Sequence, residues 1–339
     1  MARRRWLGAE DFEHAVAACN LLPGPASTQL AIYCAWRLRG RPGALVGGLA
    51  FVVPGLILIL ALAALFLAGS PPRWVLGAGA GAGAAVAGVA VHAGWSLVGP
   101  SWAAARARLR WLVYLAAGAA AGATVGAWLV LVLLGAGLVE LALRVRGGLL
   151  SVGIVPLAAA GAVPPLAWVS FKVGALSYGG GFVIVPLMQH DAVSTHHWLT
   201  ASQFLNAVAL GQITPGPVVH TVAAVGYGAA GVGGGLLAAL VAFAPSFAFV
   251  LGGGSRFDRL RENDHARAFL AGAGPAAVGA ILGSAVPLAR ALDEPWQYGL
   301  LAAAAVLLLA LRRGVVTTLL VCGAAGAVVA LAGGPLPGG

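Results

Sequence analysis

The chain has 339 residues, of which 60% are hydrophobic and only 9% are charged, with a formal net charge of +10. A soluble domain of this length would carry roughly a quarter charged residues, so the composition excludes a soluble globular protein. Because nearly all 20 Lys and Arg residues fall in short loops between apolar stretches, their charge fits the positive-inside pattern of membrane proteins and not a nucleic-acid-binding surface.

The apolar stretches predict membrane-spanning helices. Crossing a hydrocarbon core of ~30 Å takes about 20 helical residues, and the sequence lacks the strand alternation of a membrane barrel. We therefore expect an all-α integral membrane protein, a polytopic helical bundle. The predicted spans are, in chain order, residues 43–67, 75–98, 111–134, 149–169, 171–190, 232–253 and 268–291, followed by two shorter ones at 296–311 and 315–332.

One segment of the chain occurs twice, 192 positions apart. Pro23-Gly24-Pro25 returns as Pro215-Gly216-Pro217, and Phe51-Val-Val-Pro54 returns with one residue deleted as Phe243-Ala-Pro245. Many carriers build a substrate site from helices that are interrupted in this way in two halves. The repeat therefore bears on function as well as on fold.

The charges around the first Pro-Gly-Pro segment predict its path. Basic clusters lie on both sides of it, at residues 3–5 and 37–41, and each arm offers only about a dozen residues, enough for about half of the core. A re-entrant hairpin with its tip near mid-membrane and both ends in the cytoplasm satisfies both facts, and a straight helix kinked by proline is the alternative. In the second copy the basic residues follow later, at 256–267, so the charge bias is reversed.

This reversal predicts two inverted homologous repeats with broken or re-entrant helices. We assign residues 1–147 to the N-terminal repeat, 148–169 to a connecting transmembrane segment and 170–339 to the C-terminal repeat. The topology requires two crossings within residues 111–169. It places Arg144 and Arg146 outside the cell, together with Arg73 and Arg290.

A run of three glycines interrupts the span at residues 171–190. Each glycine costs roughly 1 kcal/mol relative to alanine in a helix, but consecutive backbone N–H groups can converge on an anion. The preceding serine and tyrosine add hydroxyl groups. A glycine-lined crossing point between helices is the alternative interpretation.

The two Pro-Gly-Pro segments predict an anion site. A half-helix that begins at such a break directs its positive dipole end and free N–H groups into the membrane. Two opposed half-helix starts would bind a small, doubly charged oxyanion, whereas a purely structural kink is the alternative. The predicted substrate-binding residues are Asn20, Pro23, Gly24, Pro25, Thr28 and Gln29 in the first copy, Ser177, Tyr178, Gly179, Gly180 and Gly181 in the glycine run, and Gln212, Thr214, Pro215, Gly216, Pro217, His220 and Thr221 in the second copy.

Ionisable residues inside or at the edge of the membrane are candidates for coupling transport to an ion gradient. They are Glu13, His14, His190 and Asp191, each of which could instead be interfacial or internally paired. The sequence contains no nucleophile, zinc-hydrolase or Walker motif and no metal-ligand spacing among its three cysteines. We therefore expect no catalytic residues, no metal and no cofactor.

Taken together, these motifs resemble the chromate ion transporter family, long-chain type with two homologous halves. The resemblance covers nearly the whole chain and rests on residues 22–25 with Gln29, 172–188, 198–200 and 211–218. It implies a multi-pass protein of the bacterial cytoplasmic (inner) membrane that exports chromate and confers chromate resistance. It also implies a relation to sulfate, because the two dianions share shape and charge.

The chain departs from the family at its beginning. The family's first half opens with a motif helix equivalent to residues 171–191, and subtracting 192 places that helix before residue 1, so we expect a late start assignment or a truncation. The alternatives are a carrier of sulfate or another small anion, and a non-transporting membrane subunit. The expected partners are chromate or a sulfate-like dianion and the lipid bilayer, with no nucleic acid and with a homodimer as the candidate assembly.

Overall fold

The computed structural model describes residues 24–67, 71–124, 129–144, 164–177, 182–253 and 263–337, together with Phe12, Ala15, Val16 and Cys19. Its helices are α1 (Ala26–Phe66), α2 (Arg73–Ala103), α3 (Arg108–Thr124), α4 (Leu129–Arg144), α5 (Pro165–Leu176), α6 (Ile184–Gln189), α7 (Ala201–Ile213), α8 (Thr221–Gly253), α9 (Asp264–Arg290), α10 (Pro295–Ala305) and α11 (Val315–Leu331). π-Helical turns extend α6 (His190–Thr195) and α10 (Val306–Ala310), and a 3₁₀ turn (Val218–His220) precedes α8.

Four of these elements are long and apolar enough to cross a membrane. They are α1, α2, α9, and α8 taken with its preceding turn (Val218–Gly253). The shorter helices α5, α10 and α11 are also apolar. The predicted all-α polytopic membrane protein is confirmed.

Helices α1 and α8 each contain a sharp break. It lies at Arg39 and Gly40 in α1 and at Ala230 and Gly231 in α8, and both glycines have φ of 62°. This left-handed conformation favours glycine, which has no Cβ to clash. The break divides α1 into α1a (26–38) and α1b (41–66), and α8 into α8a (221–229) and α8b (232–253).

The parts of each broken helix fold back on each other. A Cβ built on Gly47 would collide with the Cβ of Ala35, and one built on Gly234 would collide with the carbonyl oxygen of Gly226. Each pair therefore forms a tight antiparallel hairpin that only small residues permit.

These breaks locate the deletion in the second repeat. Gly231 follows Gly40 by 191 positions, whereas Gly216 follows Gly24 by 192. The deletion therefore lies in the half-helix between the Pro-Gly-Pro turn and the break. The prediction that it lies between Phe51 and Pro54 is wrong, because matching by residue type there ignored the backbone register.

The central helices α1b and α8b cross in antiparallel directions. Gly48 packs on Phe247 near one end of the contact, and Gly235 packs on Leu60 near the other. Because these helices occupy equivalent places in the two repeats, their antiparallel pairing is the geometry of an inverted repeat.

The remaining helices interlock the two halves. Gly118 and Gly122 of α3 meet the carbonyls of Ala276 and Ala280, so α3 runs parallel to α9. In the matching arrangement, α2 packs on α10 and α11, where Gln297 donates to the Ala80 carbonyl at 3.1 Å. The long helix of each half is thus packed against the last two helices of the other half.

The two ends of the bundle differ in charge. We call the end where α2 and α4 finish and where α1b, α3, α9 and α11 begin the arginine face. Ten described basic residues lie at or near it, namely Arg37, Arg39, Arg41, Arg106, Arg108, Arg110, Arg144, Arg267, Arg312 and Arg313. The opposite face has Arg73, which donates to Gly334 O at 3.2 Å, and Arg290.

The single span predicted at residues 111–134 is wrong, and so is the placement of Arg144. Helix α3 ends at Thr124, and α4 returns antiparallel to it. Glu140 accepts a hydrogen bond from Tyr114 Oη (3.1 Å) and pairs with Arg144 Nε at 2.6 Å. Arg144 therefore lies on the arginine face. Hydropathy missed this reversal because the connecting residues, 125–128, are as apolar as the helices; Arg146 lies outside the described residues.

Candidate functional site

The first Pro-Gly-Pro turn ends against α5 and α8b. Gly24 has φ of 119°, and a Cβ there would lie 3.3 Å from Gly174 O and 3.4 Å from Ser246 Oγ. Pro25 caps α1a, and its carbonyl accepts the N–H of Gln29 at 3.0 Å. The half-helix α1a therefore begins in the middle of the bundle and runs to the arginine face.

The second turn makes the reciprocal contact with α1b. Gly216 has φ of 124°, and a Cβ there would lie 3.5 Å from Phe51 O. The carbonyl oxygen of Pro215 occupies the place that a side chain on Gly55 would need. Gly55 precedes Ser246 by 191 positions, so each turn packs on the equivalent point of the other half's central helix.

The second repeat contains a re-entrant hairpin of the kind predicted for the first. Leu199, just before α7, packs on Gly228 near the end of α8a, whereas the turn between the two helices reaches mid-bundle. Both arms therefore end at the opposite face. In the first repeat the returning arm α1a is described, and most of the arm before it lies outside the described residues.

His220 joins the second turn to the crossing of the central helices. Its Nε2 lies 3.0 Å from Val52 O, and since a carbonyl only accepts, this nitrogen carries a proton. The ring also packs edge-on against Phe243, with centroids 5.3 Å apart. Its Nδ1 is buried, with no hydrogen-bond partner among the described residues.

Three buried hydroxyls on the elements that meet at the first turn likewise lack partners within the described ranges. They belong to Thr28 on α1a, Ser177 at the end of α5 and Ser246 on α8b, and all three residues are 0% exposed. An unsatisfied buried polar group costs about 1–3 kcal/mol. Such a set, placed beside a helix start, is typical of a site that binds a polar ligand.

Other predicted residues of the second copy serve the turn itself. The hydroxyl of Thr221 donates to Val218 O at 2.8 Å, and that of Thr214 donates to Gly211 O at 3.4 Å. Gln212 has a buried amide nitrogen with no partner among described residues. That any of these groups binds substrate stays a prediction.

Of the coupling candidates, Asp191 is the best defined. It is 7% exposed, and its Oδ2 lies 2.6 Å from Lys172 Nζ. It stands in the π-helical turn that His190 begins, a feature often found at functional sites. Sequence reasoning missed the partner, although a lone lysine within an apolar span was the available signal.

The structure also identifies residues that the sequence did not single out. Gly55, Gly174 and Ser246 hold the two turns in place, and the recurrence of Pro54 as Pro245 was the available signal. Within the described ranges no three His, Cys, Asp or Glu residues come together as metal ligands. The predicted residues outside those ranges are Glu13, His14, Asn20, Pro23, Tyr178, Gly179, Gly180 and Gly181.

Comparisons with known proteins agree on one family. The sequence matches the family described as Chromate transporter over residues 1–141 and 165–329. It is 33% identical over 304 residues to the chromate transport protein of Cupriavidus metallidurans, covering 85% of this chain and 75% of that protein.

Two further relatives cover similar shares. The probable chromate transport protein of Synechococcus elongatus is 29% identical over 85% of this chain and 76% of its own length. The chromate transport protein of Pseudomonas aeruginosa is 29% identical over 86% of this chain and 74% of its own length. No solved structure matches the chain.

Proposed function

This chain belongs to the chromate transporter family, and on that premise we propose that it exports chromate across the bacterial cytoplasmic membrane and so confers chromate resistance. The observation that carries the proposal is the pair of opposed half-helix starts in mid-bundle, the first of which has buried hydroxyls without partners beside it. We propose residues 1–147 and 170–339 as the two repeats.

The site suits a small dianion. Each half-helix N-terminus is equivalent to roughly half a positive charge, so two of them favour a doubly charged ligand. The hydroxyls of Thr28, Ser177 and Ser246 would donate hydrogen bonds to its oxygens. Sulfate shares this charge and shape, so we expect it to compete with chromate.

The charge asymmetry supports an orientation. Ten described basic residues lie at the arginine face and two at the opposite face, so by the positive-inside rule we assign the arginine face to the cytoplasm. The half-helix α1a then runs toward the cytoplasm and α8a toward the outside.

Inverted repeats supply a mechanism for alternating access. Because the halves are related by a two-fold axis in the membrane plane, exchanging their conformations converts an inward-open site into an outward-open one. The His220–Val52 and Gly24–Ser246 contacts lie between the halves and would have to rearrange. The Lys172–Asp191 pair and His220 are the groups that could couple this step to a proton gradient.

The test is uptake of radiolabelled chromate into everted membrane vesicles from cells that express the chain. We expect energised vesicles to accumulate chromate and sulfate to reduce its uptake. Vesicles from cells with an empty vector are the control. Accumulation no greater than this control would overturn the proposal, and sulfate uptake indifferent to chromate would point to a sulfate carrier.

A further inference from the structure

A second polar feature lies apart from the Pro-Gly-Pro turns. A cavity of about 490 Å³ opens among the end of α2, the start of α3, the end of α4 and the start of α9. These elements all meet at the arginine face. Four arginines line it, Arg106, Arg110, Arg144 and Arg267.

The charge of this cavity is strongly positive. Glu140 is the one acidic residue among its described lining residues, so four guanidinium groups against one carboxylate leave three positive charges in excess. Asp264, which does not line the cavity, forms an ion pair with Arg267 at 2.8 Å. Arg106 makes no ion pair within the described ranges.

Glu140 holds two of the arginines in place. It is 2% exposed, and its carboxylate lies 2.6 Å from Arg144 Nε and 3.3 Å from Arg110 Nε. Tyr114 donates a further hydrogen bond to it. One carboxylate shared by two cations cannot neutralise both. The guanidinium forks are thus positioned and still attract an anion.

The inner end of the cavity reaches the buried interior of the bundle. Its apolar wall includes Ile281 and Val278 of α9 and reaches Val183. Val183 stands two residues after the glycine run, and Ser177, with its buried unpartnered hydroxyl, stands just before that run. An anion at the arginines would therefore occupy the same cavity as Val183, which follows Ser177 by six positions.

We propose that this cavity is a cytoplasmic vestibule in which Arg106, Arg110 and Arg144 bind the divalent oxyanion before it enters the transport site. The inference rests on the proposed function and adds a second anion site to it. A cluster of one sign of charge in a low-dielectric cleft raises the local concentration of its counter-ion. Glu140 acts here as a positioning residue.

A lipid phosphate offers the same chemistry as a soluble oxyanion. The cavity lies where phospholipid headgroups would be at hand, and guanidinium groups bind both ligands in the same manner. The observations favour the soluble dianion, because the cavity continues inward to the buried side chains of Val183 and Ile281. The experiment therefore measures both ligands.

The test uses chromate uptake into everted vesicles, whose outer surface is the cytoplasmic face. For Arg106→Gln and Arg144→Gln we expect the KM for chromate to rise about tenfold, because each variant loses one charge-assisted hydrogen bond to the anion. We expect kcat to stay within about twofold of the parent value. We also expect the KM to depend less on ionic strength. Arg41→Gln and Arg313→Gln remove the same charge from exposed positions on the same face, and we expect the parent KM.

Two further measurements keep the test decisive. Because Arg144→Gln leaves Glu140 with one partner fewer, the double variant with Glu140→Gln removes both charges and guards against misfolding. Phosphatidylglycerol bound to each purified variant is measured by mass spectrometry.

Uptake by the parent with the same KM in cavity and control variants would overturn the vestibule and leave the proposed function intact. An unchanged KM together with loss of bound phosphatidylglycerol would identify a lipid site instead. No uptake by the parent would overturn both proposals.

Discussion

His220 Nε2 donates a hydrogen bond to the carbonyl oxygen of Val52 across 3.0 Å, and this bond joins the second Pro-Gly-Pro turn to the central helix of the other half. The same ring packs on Phe243, so one side chain touches both central helices where they cross. The position of the second turn therefore depends on contact between the repeats.

Replacing His220 with alanine should weaken that contact. We expect the free energy of unfolding to fall by about 1–3 kcal/mol, because a buried hydrogen bond and ring packing are lost, and uptake of chromate to fall with it. Thermal unfolding in detergent and vesicle uptake measure the two effects. His265→Ala, at an exposed position, is the matched control. A His220 variant that behaves like this control would contradict the prediction.

Gly24→Ala and Gly216→Ala should distort the turns themselves. Both residues have φ near 120°, and holding an L-residue in left-handed backbone costs roughly 1–2 kcal/mol. We expect chromate uptake to be abolished while the protein still inserts in the membrane. The control is Gly299→Ala, whose new methyl group would meet open space. Uptake at the parent rate would show that the turns tolerate change.

Ser246→Ala and Ser177→Ala test whether the unpartnered hydroxyls bind substrate. Neither hydroxyl has a protein partner to lose within the described ranges, so stability should stay the same or rise slightly. Chromate affinity should fall about tenfold for each donor removed. Ser284→Ala is the control, because that hydroxyl already donates to Ile281 O at 2.7 Å. If all three variants share the parent's KM, the hydroxyls do not bind chromate.

Breaking the Lys172–Asp191 pair should cost more free energy of unfolding than breaking an exposed ion pair. Asp191→Asn leaves a largely buried lysine without its counter-charge, and we expect a loss of about 3 kcal/mol in the free energy of unfolding. Asp264→Asn breaks the exposed pair with Arg267 and should cost less than about 1 kcal/mol. Urea unfolding in mild detergent compares them. Equal losses would mean that burial does not strengthen the Lys172 pair.

The corrected topology can be tested by cysteine labelling in a variant without the three native cysteines. Ala142→Cys, near the end of α4, should react with an impermeant maleimide from the cytoplasmic side only, as should Arg313→Cys. Tyr298→Cys, near the start of α10, should react from the outside only. Labelling of Ala142→Cys from the outside would contradict the corrected topology and favour the single span predicted at residues 111–134.

Much of the fold could be predicted because the membrane constrains it so strongly. A chain in hydrocarbon must satisfy its backbone within helices, so hydropathy alone located most of the spans. The repeated Pro-Gly-Pro and the reversed charge bias predicted inverted halves, and the antiparallel crossing of α1b and α8b agrees with this. The second repeat has a re-entrant hairpin; the hairpin predicted for the first repeat stays a prediction, because most of its first arm lies outside the described residues.

Composition and repetition by themselves determined the class of the protein and most of its membrane spans, and they predicted the two inverted halves, since these follow from local hydrophobicity, charge and backbone preference. Only the tertiary structure decided which residues meet: Gly55 with the second turn, Lys172 with Asp191, and Arg110 with Arg144 across Glu140. These contacts join positions far apart along the chain or on either side of an apolar reversal. Their energy comes from close packing and charge pairing between helices, which no local pattern of hydropathy records.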